Sequence, residues 1–211
     1  MPTTVRVPQE QRTRAMRQRL LEACVECLVE HGWSGTSTTL VSQRAGVSRG
    51  AQLHHFPTKN DLVLAAVEHL TAVRREEVLA RTAELPTGGG RTRAVLGVLA
   101  DLFTGPLFVA AAELWMAART DVALREAVAD LETRVGRATH RSTVDALAVD
   151  ESLPGNRELV QATLDLMRGL GLATLVADDL ARRERILDHW ADTIEATIRR
   201  PDPTTRREGT S

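Results

Sequence analysis

Tyrosine is absent from this 211-residue chain, lysine occurs once, at Lys59, and cysteine twice, at Cys24 and Cys27. Each shortage excludes something. A secreted scaffold of this size would not rest on one tight cysteine pair. The C-x-x-C spacing lies inside a helical pattern with no second pair to complete tetrahedral zinc. Both cysteines are therefore read as helix residues, Cys24 on the buried face. A phosphate loop needs Gly-Lys-Ser/Thr, and the single lysine stands away from Gly88-Gly89-Gly90, which reads as a turn. No apolar stretch approaches the ~20 residues that cross a bilayer, and the N-terminus shows no signal-peptide run. No membrane partner and a cytoplasmic location are expected. A helical di-iron site would need Glu-x-x-His pairs, which are missing, as is His-Glu-x-x-His, and the six histidines are scattered. No enzyme activity, metal or cofactor is expected.

What is present suits a folded helical protein. Hydrophobic residues make up 43 % of the chain, enough for a core, and a net charge of −1 argues against wholesale disorder. The charge is uneven. Residues 1–60 carry eight basic against four acidic side chains, a surplus of four positive charges, so the rest of the chain stands at −5. A positive N-terminal segment on an acidic body is what phosphate binding at one end requires.

Apolar residues at helical spacing and punctuating Gly, Pro, Ser and Asp predict helices at about 11–31, 38–45, 49–55, 59–82, 91–103, 105–118, 121–148, 156–177 and 182–199. No alternating run suggests a strand. The expected organisation is a disordered arm at 1–10, a DNA-binding unit at 11–60 with a linker helix at 59–82, a helical body at 83–200, and a disordered tail at 201–211.

The most informative segment is Ser37 to Phe56. A helix-turn-helix needs two short helices at a steep angle, a turn that is often glycine, and small residues where they touch. Gly46 supplies the turn, and Val41, Ala45, Val47 and Ala51 supply the contact. The second helix would present its first residues to the major groove. Arg49 is suited to guanine and the Gln52 amide to adenine. Thr38, Thr39, Ser48 and Lys59 can meet phosphates.

The stretch Thr36 to Leu62 resembles the signature of the tetracycline-repressor-like (TetR) family. It includes Ala45-Gly46-Val47-Ser48-Arg49-Gly50 and His55-Phe56-Pro57-Thr58-Lys59-Asn60-Asp61-Leu62, and the preceding Glu30-His31-Gly32-Trp33 fits as well. The resemblance implies an all-α homodimer with a three-helix N-terminal domain on palindromic double-stranded operator DNA. It also implies a C-terminal domain for ligand and dimerisation, and release from the operator by a small molecule. Carried over by position, the DNA-facing residues are Thr38, Thr39, Arg49, Gly50, Leu53, His54, His55 and Lys59. One departure stands at the centre of the recognition helix: the family usually has Leu-Tyr where this chain has Gln52-Leu53. Leu53 cannot donate to a phosphate, though it could touch a thymine methyl. Either Gln52 or Leu53 would then face the DNA.

In the C-terminal body, Leu166, Leu170, Leu187, Trp190 and Ile194 are the candidate dimer interface. Phe103, Phe108, Trp115, Met116, Arg119 and Met167 are the candidate pocket for a small, largely apolar effector. The alternative is a helical scaffold that has lost DNA binding.

Overall fold

The computed structural model describes residues 9–85, 88–177 and 179–199. The described residues form nine helices: α1 (Gln9–Gly35), α2 (Thr38–Ala45), α3 (Arg49–His55), α4 (Lys59–Ala83), α5 (Arg91–Thr104), α6 (Pro106–Ala118), α7 (Val122–Leu147), α8 (Asn156–Thr174) and α9 (Leu180–Thr197). The fold is all-α, as expected. Of the expected arm, Gln9 and Glu10 already belong to α1; its first eight residues and the tail from 201 lie outside the described residues.

The boundaries follow local chemistry. Ser37 Oγ accepts from the Leu40 amide and Ser48 Oγ from the Ala51 amide, capping α2 and α3. Thr58 and Asp61 cap α4 reciprocally: Thr58 Oγ1 accepts from the Asp61 amide, and the Asp61 carboxylate accepts from the Thr58 amide and hydroxyl. Asp121 and Asp179 do the same one-way service for α7 and α9. Pro106 opens α6, where its missing N–H costs nothing.

The helices divide into two compact units. One comprises the described residues of Met1–Val73 and Pro106–Thr133, the other those of Arg74–Gly105 and Arg134–Ser211. The division does not follow the boundary expected near residue 83: α6 and the first half of α7 group with the N-terminal helices, and α4 and α7 each begin in one unit and end in the other.

In the first unit, α1 packs against α2 and α6 through Leu20, Leu21, Cys24, Cys27 and Leu28, all with no exposed surface. Burial pushes the Cys24 thiol up to about 12, so both cysteines are apolar filling. In the second unit, α5 packs against α8 and α9. That contact corrects the expected dimer face. Leu170, Leu187 and Ile194 are buried within the chain itself, and Trp190 is half-buried with its indole Nε1 donating to Thr163 Oγ1 at 3.0 Å. An apolar ridge at helical spacing shows that a face is covered; here α5 of the same chain covers it. Leu166 alone among the five stays half-exposed without a polar tie.

Candidate nucleic-acid interface

The second and third helices are too short to persist alone in water, where helices under ~12–15 residues are marginal. Packing and caps hold them. Val41 and Ala45 of α2 and Val47 of the turn are buried. Gly46 makes the turn in the left-handed region, with φ 63° and ψ 38°, and its amide donates to the Ser42 and Gln43 carbonyls. Any side chain there would be strained. Arg44 then ties α2 to α1 through Glu30 at 2.5 Å, with Glu26 at 3.8 Å, and this pairing holds the Glu30 carboxyl below its usual range.

The α3 helix resolves the Gln52-Leu53 question. Gln52 has no exposed surface, and its Nε2 donates to the Phe56 carbonyl at 2.6 Å. Its Oε1 is buried without a partner. Gln52 therefore does not read adenine; it occupies the core position where the family usually has leucine and spends its amide on closing the end of its own helix. Leu53 points outward, 42 % exposed. Arg49, Gly50 and His54 are exposed beside it, and His55 is half-buried. The edges of the His54 and His55 rings meet at 5.5 Å between centroids. Nothing lies within 4 Å of a Cβ built on Gly50, so the bare backbone there is open to a close partner.

The candidate phosphate contacts flank this face. Thr39 and Ser48 are exposed, and Thr38 is half-buried. Lys59 is more constrained than the sequence suggested. Its Nζ donates to the Trp33 carbonyl and sits 4.2 Å from the centre of the Trp33 ring, and burial lowers its pKa. Two ammonium hydrogens remain for a phosphate, but the group is anchored first to the end of α1.

That end is a junction no sequence signal revealed. The backbone leaves helical geometry at Gly32 (φ 65°, ψ −177°), which frees the Trp33 amide. Glu113, eighty residues on and in α6, accepts from that amide at 2.6 Å. Trp33 is thus held by its N–H from α6 and by its carbonyl and ring from the first residue of α4.

The order Gly46-Val47-Ser48-Arg49-Gly50 spells Gly-x-Ser-x-Gly, the pattern of a hydrolase nucleophile turn. That chemistry needs a strand before the turn and a base beside the serine. Here a helix precedes it and the Ser48 hydroxyl is an N-cap.

Two of the candidate pocket residues line a hollow together. Trp115 and Arg119 border a shallow hollow of about 570 Å³ in the first unit, with Ala118, Arg125, Val128 and Ala129. Phe108 packs edge-on against Trp115 at 5.7 Å, and the Trp115 indole donates to Glu132 at 2.7 Å. Met116, 62 % exposed, turns away into solvent. Phe103 and Met167 are buried in the second unit. Spacing placed these residues on apolar helices and did not say which neighbour each would meet.

Residues 20–66 match the model of the bacterial regulatory proteins of the tetR family. The HTH-type transcriptional regulator CymR of Pseudomonas putida is 32 % identical over 180 residues, covering 84 % of this chain and 88 % of its own. The HTH-type transcriptional repressor AcnR of Corynebacterium efficiens is 28 % identical over 194 residues, covering 88 % and 94 %. The crystal structure of the transcriptional regulator FadR from Bacillus subtilis, in complex with stearoyl-CoA, shares the fold with a TM-score of 0.62 at 15 % identity, covering 86 % of this chain and 98 % of that one.

Proposed function

The chain belongs to the TetR family of bacterial regulatory proteins, and from that premise we propose how it works as a ligand-responsive transcriptional repressor. The observation that carries the reading is the outer face of α3, where Arg49, Gly50, Leu53 and His54 stand exposed on a helix capped and packed from behind. Such a helix enters the major groove with its first residues at the base edges. Arg49 takes a guanine and Leu53 a thymine methyl, while Thr39 and Ser48 bond phosphates. Lys59 and Thr38 stand at the margin of this contact. The residues up to about 60 serve the DNA, α4 links, and the helices beyond about 83 serve ligand and dimerisation.

The working form is a homodimer in the cytoplasm, because a pseudo-palindromic operator is read by two half-sites one helical turn apart. Exposed Leu172, Leu175, Val176 and Leu180, at the end of α8 and the start of α9, are the apolar surface that supports this. The relatives' names support repression, and the acyl-CoA complex of the Bacillus neighbour supports a small-molecule effector. The hollow beside Trp115 and Arg119 is the place that suits a largely apolar one. Glu113 lies on the same helix, so a ligand that displaced α6 would pull on Trp33 and through it on Lys59. Release then follows from a changed separation of the two recognition helices.

The test is Arg49→Ala in a mobility-shift assay on the chain's own upstream region. Specific binding should weaken by roughly 1–3 kcal/mol and one base position should relax. Unchanged affinity and preference would reject the assignment of Arg49.

A further inference from the structure

A second cleft, of about 510 Å³, opens between α7 and α8 within the second unit. Its lining is unlike that of the hollow beside Trp115. Arg137 and Arg141 come from α7, and Arg157 and Arg168 from α8. Two carboxylates share the cleft, and both are already engaged. Glu151 accepts from His140 at 2.6 Å and from Arg157 at 3.2 Å, and Asp165 accepts from Arg168 at 2.6 Å. Arg137 and Arg141 make no hydrogen bond or ion pair among the described residues. They stand four apart on one helix face, where like charges repel. Four guanidinium groups against two carboxylates leave a surplus of two positive charges, and both surplus groups are the unpaired ones.

We propose that this α7–α8 cleft is a binding site for a small dianion, a dicarboxylate or a phosphate monoester, held by Arg137 and Arg141. The charge decides the class. A monoanion leaves one arginine uncompensated, and a trianion exceeds the surplus. A guanidinium fork donates two parallel N–H bonds to a planar carboxylate or a phosphate edge, so two arginines on one face hold the two carboxylates of one ligand or two edges of one phosphate. Arg168 borders the same space with its guanidinium 6.0 Å from the centre of the Phe103 ring, which with the Asp165 bond fixes it in place. The cleft is large enough for a ligand of metabolite size. This site goes beyond the operator-binding reading and does not depend on it.

The test uses the full chain without DNA. Calorimetric titration with methyl phosphate and with succinate, against acetate and a neutral diol, reads the site directly and separates phosphate from carboxylate sources. At least one dianion should bind saturably with one site per chain, and acetate at least about tenfold more weakly. Arg137→Gln with Arg141→Gln should weaken that binding at least about tenfold. Arg182→Gln with Arg185→Gln, which removes the same charge from exposed positions outside the cleft, should leave it unchanged. Circular dichroism confirms the fold of both variants. No saturable dianion binding, or equal weakening in both double variants, overturns the proposal.

Discussion

Replacing Glu113 by alanine removes the only link between α6 and the end of α1 that rests on a charged hydrogen bond among the described contacts. The Trp33 amide has no helical acceptor, because the backbone leaves the helix at Gly32, and Glu113 Oε2 meets it at 2.6 Å. A hydrogen bond to an ionised acceptor is worth about 1.5–3 kcal/mol. The half-buried setting of Glu113 and Trp33 places the loss near the lower end, at about 1.5–2 kcal/mol. In a chain of this length each kcal/mol moves the melting midpoint by about 2–4 °C, so Glu113→Ala should melt about 3–8 °C below the parent. Glu113→Gln keeps an oxygen acceptor without the charge, and should lose about half as much. Differential scanning calorimetry of the three proteins at one concentration measures this. A Glu113→Ala midpoint equal to the parent's would show that water replaces the carboxylate at no cost, and that the junction does not couple α6 to the DNA-binding helices.

Gln52→Leu should stabilise the protein by about 1 kcal/mol in urea titration, because it removes a buried oxygen with no partner at the expense of one bond to the Phe56 carbonyl, and it should leave operator affinity unchanged. A loss of stability would show that capping the end of α3 outweighs the orphaned atom. Gly32→Ala should cost about 1–2 kcal/mol, since φ is +65° and the new Cβ would lie 3.2 Å from the Glu113 carboxylate; the same titration reads it. Val176→Glu, at a position 93 % exposed, should shift sedimentation toward the monomer without changing helix content, and an unchanged dimer would place the interface elsewhere. Cys24, with its thiol raised to about 12 against an unfolded value near 9, should resist alkylation at pH 8.5 until the chain unfolds. Because the folded pKa is the higher one, its contribution to stability is present below pH 9 and is lost as pH rises from 9 toward 12.

The local features were legible in the sequence because local chemistry makes them. Ser37, Gly46, Ser48, Pro57, Pro106 and Asp121 punctuate the chain, and α2 and α3 begin and end where those residues require. The outward face of α3 was half legible. Arg49 and His54 are where position placed them, but Gln52 carries a polar label and a core position, and only the packing behind α3 shows that its amide can turn back to the Phe56 carbonyl. The body was less legible. Period 3.6 marks Leu170, Leu187 and Ile194 as covered, but the covering helix, α5, lies more than sixty residues away in sequence. Glu113 and Trp33 show the same limit, since nothing local to either announces a partner eighty residues off.

Most hangs on whether the exposed face of α3 reads a DNA sequence. Fluorescence anisotropy of the purified protein with a labelled duplex from its own upstream region, and with a scrambled duplex of equal composition at the same salt, tests it directly. Binding to the first should be saturable and at least about a thousandfold tighter than to the second. Equal affinities, falling with salt along the same slope, would leave only phosphate attraction and would contradict sequence reading by α3.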